Sequence, residues 1–204
     1  MFIGHFAVGL ASKRAAPKAS LGVLMIAPNL LDLLWPGFVL LGWERVRIDP
    51  GNTAFTPLDF VNYPISHSLL TACGWGILFA AIYWMRSHYR RGAIVLGFGV
   101  VSHWILDFLV HRPDLPLYPG GPRVGLGLWN SVPAAVAVEL ALYAAGAWLY
   151  LSTTRSRDRT GSYSLGAFLL FGLLVYVANA AGPPPPNARA VAIGALAIWL
   201  RTAI

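Results

Sequence analysis

The sequence predicts an all-α integral membrane protein, a bundle of about six transmembrane helices preceded by a short N-terminal half-helix. Three observations carry this. The 204 residues are 57% hydrophobic and only 11% charged, where an ordinary soluble domain is about 25% charged. The mean hydropathy is +0.62. The apolar residues also fall into runs near the length of roughly 20 that crosses a bilayer as a helix. The length suits one compact helical membrane domain, residues 1–204.

The expected spans are residues 19–43, 64–85, 92–111, 129–151, 163–182 and 188–204. The last is short and carries Arg201. Residues 1–12 would reach only about 18 Å as a helix, so they lie at the interface or enter as a half-span. Their apolar start precedes Lys13, Arg14 and Lys18, the reverse of the order in a secretory signal. Cys73 stands alone in an apolar run, which excludes a disulfide framework and a cysteine metal knuckle. Pro183–Pro186 reads as a stiff spacer.

The formal charge of +7 points to topology and not to nucleic acid, because the basic residues cluster between the apolar runs. Lys13, Arg14, Lys18, Arg86, Arg90, Arg91, Arg155, Arg157, Arg159 and Arg201 fall on one side, and Arg45, Arg47, Arg112, Arg123 and Arg189 on the other. The positive-inside rule then places both termini in the cytoplasm and turns the longer loops, 44–63 and 112–128, outward. Their Pro-Gly and Pro-Asp turns suit structured loops, in which Asp49 and Asp59 are read as exposed turn residues or a lid.

Chemistry centres on residues 99–114, GVVSHWILDFLVHRPD. His103, Asp107 and His111 are spaced four apart and share one helical face. Ionisable groups in a membrane helix face the bundle interior or water, and His-x-x-x-Asp is ligand spacing for a divalent metal. Counting about 1.5 Å per residue from the basic clusters brings Asp32, His67, His103 and Asp107 to one depth on three spans. His5 sits somewhat lower, and Glu139 is the lone acid of its span, with a metal or His111 as partner. Each residue has a plainer reading as a hydrogen-bonded packing group, whereas the coincidence of depth favours a metal site. His88, amid Arg86–Arg91, reads as a solvated loop residue, and Ser66 and Ser68, which flank His67, as remote candidates for a nucleophile.

The run of short motifs resembles a known family. Gly4-His5, Pro28-Asn29-Leu30-Leu31-Asp32, Ser66-His67-Ser68, Ser102-His103-Trp104-Ile105-Leu106-Asp107 and Leu115-Pro116-Leu117-Tyr118-Pro119 are similar to those of the YdjM-like proteins. These are bacterial inner-membrane proteins classed as metal-dependent hydrolases, with a wider likeness to zinc-dependent phospholipase C and single-strand nucleases. The likeness covers residues 1 to about 120. It implies that Asp32, His67, His103 and Asp107 hold one metal, that His5 with Asp107 holds a second, and that His111 with Glu139 contributes to a third. Asn29 stands where the family often has Asp, and Ala135 where the soluble enzymes place the histidine of His-x-x-x-Glu; the second departure weakens a third metal.

The expected function is hydrolysis of a phosphoester on a lipid or lipid-linked substrate entering from the outer leaflet, with Asp32, His67, His103 and Asp107 as the catalytic set. Zinc is the expected metal, with manganese or iron also suited to histidine and carboxylate. Arg112 and Arg123 are candidates for gripping the phosphate. Two alternatives stand beside this: a proton- or ion-coupled carrier using the same groups, and a structural metal in a closed four-ligand shell. The polar residues below Asp32 and Glu139 are too few for a carrier's path, which favours a one-sided pocket.

Overall fold

The computed structural model describes the backbone of residues 1–202 and the side chains through residue 197. It is an all-α membrane bundle. Its helices are α1 (Ile3–Ala15), α2 (Leu21–Leu40), α3 (Pro64–His67), α4 (Leu69–Ser87), α5 (Arg90–Val110), α6 (Val132–Thr153), α7 (Arg159–Ala181) and α8 (Ala188–Thr202). Of these, α2, α4, α5, α6 and α7 are long and apolar enough to cross a membrane. The expected sixth span, 188–204, is the shorter α8; its last two residues and the Arg201 side chain lie outside the described residues.

Polar side chains punctuate the apolar runs. Ser20, Ser68, Ser131 and Asp158 each accept a hydrogen bond from an amide in the first turn of α2, α4, α6 and α7, satisfying one of the orphan donors there. At Ser68 the cap corrects the expected single span 64–85. Ser68 is extended, with ψ 149°, and its hydroxyl caps α4, so the segment divides into α3 and α4. His67 is thereby the last residue of a one-turn helix, turned by its own short segment and not by the long span.

The half-helix α1 is an interior element. Ile3, Gly4, His5, Phe6, Ala7, Gly9 and Leu10 are buried, and α1 packs on α6, α2 and α5. Gly146 makes the α1–α6 approach possible: a Cβ there would meet the Ala7 carbonyl oxygen at 2.5 Å. Small residues likewise bring α4 and α5 together at Gly76 and Gly97, the close-packing device of membrane helices. Outward-facing Leu70, Ile77, Phe98 and Leu174 are exposed, as surfaces facing lipid are.

The two long loops carry small antiparallel hairpins. In the first, β1 (Arg45–Ile48) pairs with β2 (Leu58–Asn62); in the second, β3 (Leu115–Pro116) pairs with β4 (Arg123–Val124). Asp59 is buried and accepts hydrogen bonds from Arg47 and Arg112, which corrects its reading as an exposed turn residue; Asp49 is exposed and so is His88.

Candidate metal centre

Three helices and the one-turn α3 bring the ionisable groups to one place. α5 supplies His103 and Asp107, α2 supplies Asp32, α3 supplies His67, and α1 supplies His5. His5 and His103 are fully buried, and Asp107 and His67 nearly so. His103 Nε2 lies 3.1 Å from Asp107 Oδ2, 3.2 Å from His67 Nε2 and 3.8 Å from Asp32 Oδ1. His67 Nε2 is 3.4 Å from Asp32 Oδ1. His5 Nε2 is 3.2 Å from Asp107 Oδ1, and its ring stacks on that of His103 at 3.8 Å with 5° between the planes. The Met1 amino group is 2.5 Å from Asp107 Oδ1.

Two groups of ligand-type atoms result, His5–His103–Asp107 and Asp32–His67–His103, each compact enough to hold a metal ion. His103 belongs to both, so the site is one cluster and not two separate centres. His103 Nδ1 is 2.8 Å from the Pro28 carbonyl oxygen. A carbonyl only accepts, so Nδ1 carries a proton; in the neutral imidazole Nε2 then turns its lone pair toward the cluster, the arrangement of a metal-ligating histidine. Pro28 sits inside α2, on the same helix as Asp32.

His111 lies at the edge of this cluster. Its Nε2 is 3.9 Å from Asp107 Oδ2, and its Nδ1 is 2.9 Å from Asp114 Oδ1. Tyr63 donates its hydroxyl to the same Asp114 oxygen at 3.1 Å. Burial, with the charges of Asp114 and Asp107, holds the Tyr63 phenol well above its ordinary pKa, so it acts as a neutral donor. Glu139 Oε2 accepts the amides of Phe2 and Gly4 at 2.8 and 3.4 Å; it caps α1 and joins neither metal-type group among the described residues.

A cavity of about 570 Å³ opens beside the cluster. Asp32, His67, Asp107, His111 and Glu139 line it, and Trp35, Phe55, Phe60 and Trp129 give it aromatic walls. The loop between β1 and β2 covers part of it through Pro50 to Leu58. Asp32, whose side chain is 32% exposed, is the most open of the cluster's groups. Arg112 and Arg123 are not on the cavity lining. Arg112 bonds Asp59 and Asp114, and Arg123 bonds the Val61 carbonyl, so both hold the loops together.

Sequence reasoning named the cluster and missed its supports. Asp114 is three residues past His111, and that spacing was a legible signal. The Pro28 carbonyl had none, since backbone groups carry no residue code. Glu44, buried beside Ser66, read only as the first residue of a loop. Ser66 is buried and held between Glu44 and His67, which leaves it no access as a nucleophile. Asn29, at the position where the resemblance expects an acid, donates to the Met25 carbonyl at 2.8 Å and serves α2 itself. Comparison with protein-family models, curated proteins and solved structures finds no match to this chain. The fold and site therefore define the class by themselves: a helical membrane protein with a buried histidine–aspartate cluster open to an aromatic cavity.

Proposed function

We propose that the protein is a membrane-embedded, metal-dependent hydrolase that cleaves a phosphoester on a lipid or lipid-linked substrate. The observation that carries this reading is the convergence of His67, His103, Asp107 and Asp32 in one cluster, with the two histidine Nε2 atoms 3.2 Å apart and Asp32, His67 and Asp107 on the lining of the cavity. Two imidazole nitrogens this close, with two carboxylates beside them, form a donor set that suits zinc, manganese or iron. The His103–Pro28 hydrogen bond fits the same role. A divalent ion held there supplies Lewis acidity, which lowers the pKa of a coordinated water toward neutrality and polarises a phosphoryl oxygen.

The protein's own groups do the rest. Asp107 sets Oδ1 beside His5 Nε2 and Oδ2 beside His103 Nε2, so that one carboxylate and both histidines face the same ion. Asp32 presents a carboxylate to the cavity, where a substrate's reacting end meets the cluster. Trp35, Phe55, Phe60 and Trp129 offer a surface for an apolar chain. The loop between β1 and β2 adds Pro50, Phe55 and Pro57 to the cavity lining. The partial exposure of Asp32 favours an open catalytic site over a closed structural one. The orientation, with cytoplasmic termini and the site toward the outer leaflet, belongs to this proposal and rests on the basic clusters; the bacterial inner membrane belongs to it too and rests on the family resemblance alone.

The test is elemental mass spectrometry on the detergent-purified chain beside a His103→Ala, Asp107→Ala double variant. We expect one or two zinc or manganese ions per chain, lost in the variant, followed by turnover in a screen of phospholipid and lipid-linked phosphoesters. A metal-free wild type, with a variant that still folds, overturns the hydrolase and returns the cluster to proton-linked transport or packing.

A further inference from the structure

The buried acid Glu44 sits between α2 and β1, outside the cluster, and no part of the proposed chemistry uses it. Its surroundings are specific. Glu44 Oε1 accepts the amides of Ile65 and Ser66, each at 2.8 Å, and Oε2 accepts the Ser66 hydroxyl at 2.6 Å. The same Ser66 Oγ lies 2.6 Å from His67 Nδ1. All of these groups are buried or partly buried.

Donor counting orients this chain. A serine hydroxyl has a single proton. The Glu44 carboxylate is acceptor-only, so Ser66 gives its proton to Glu44. Ser66 then faces His67 Nδ1 with a lone pair, and His67 Nδ1 must be the donor. In the neutral imidazole this fixes the His67 tautomer: Nε2 is unprotonated and turned to Asp32 and His103, at 3.4 and 3.2 Å. We propose that Glu44, acting through Ser66, is a positioning residue that holds His67 in its metal-ligating tautomer and orientation. The proposal rests on the metal reading only for the consequence of that tautomer, not for the tautomer itself.

Glu44→Gln probes it with nearly unchanged shape. The glutamine carbonyl retains the two backbone amides, and its NH₂ takes the place of Oε2. Ser66 must accept from that NH₂, and its own proton turns to His67 Nδ1. The tautomer inverts, and His67 Nε2 gains a proton where a lone pair is needed. Loss of such an outer hydrogen bond typically costs 10–100-fold in metal affinity.

The experiment uses the full chain in detergent with ¹⁵N-labelled histidine. Long-range ¹H–¹⁵N correlation reads the His67 tautomer in the absence of metal, and zinc affinity is read by competition with a chelator. We expect a His67 Nδ1–H signal in the wild type, inversion in Glu44→Gln, and zinc binding weakened about 10–100-fold. A wild-type Nε2–H tautomer, or a folded Glu44→Gln with unchanged tautomer and affinity, overturns the relay. If Glu44→Gln does not fold, Ser66→Ala decides by the same readings: it removes the acceptor facing Nδ1, and unchanged zinc affinity overturns the relay. A wild type that takes up no zinc removes the metal centre, while the tautomer measurement still decides the relay.

Discussion

Tyr63 shows how a single side chain outside the spans bears on the cluster. Its hydroxyl bonds Asp114 and lies 3.3 Å from His111 Nδ1, so it shares the carboxylate that orients His111. The raised phenol pKa has burial as its largest cause. An unfolded tyrosine ionises near pH ~10, while the native phenol keeps its proton. Above that pH the unfolded state binds fewer protons than the native state, so stability falls as pH rises. Tyr63→Phe should therefore lose about 1 kcal/mol at neutral pH and show a smaller drop in melting temperature between pH 9 and pH 11 than the wild type. Equal drops would reject this account. At this scale the sequence named His5, Asp32, His67, His103, Asp107, His111 and Glu139, because ionisable residues stand out in apolar runs. It did not reveal Glu44, Ser66 or Asp114 as supports, since they lie in or beside polar loops where such residues are ordinary.

Helices deliver these residues, and their contacts set the geometry of the cluster. His5 reaches Asp107 only because α1 lies inside the bundle, and α1 lies there because Gly146 of α6 admits the Ala7 backbone. A methyl at Gly146 would sit 2.5 Å from the Ala7 carbonyl oxygen and 2.6 Å from its Cα. Backbone cannot rotate away as a side chain can, so the helices must separate. Gly146→Ala should cost about 1–3 kcal/mol, the usual range for overpacking, and weaken the proposed zinc binding by moving His5. Gly22→Ala is the control, since nothing lies within 4 Å of its Cβ position. Thermal unfolding and chelator competition on both variants check this; equal behaviour would sink it. The break at Ser68 belongs to the same scale. The hydropathy of 64–85 reads as one span, while the Ser68 cap divides it and gives His67 its own short segment.

For the whole molecule, the proposed metal would link ion binding to the fold. The cluster joins α1, α2, α3 and α5, elements far apart in sequence. An ion bound by the native state alone stabilises it by about 2.7 kcal/mol at 100 times its dissociation constant. Chelator treatment should thus lower the melting temperature in detergent, zinc should restore it, and the His103→Ala, Asp107→Ala variant should respond to neither. A wild type whose melting ignores both chelator and zinc would deny the metal any part in holding these elements together.

The sequence by itself determined the membrane class, the approximate positions of most of the long apolar helices, and the identity of the ionisable groups in the apolar interior. Those follow from composition and run length, because each apolar helix satisfies its own backbone and needs no partner to be recognised. Only the tertiary structure decided that α1 is internal, that His103 is shared between two ligand groups, that Arg112 and Arg123 serve the loops, and that Glu44 stands behind His67. These depend on contacts between distant segments, set by close helix approach and by the direction of individual hydrogen bonds, and no local pattern in the chain encodes them.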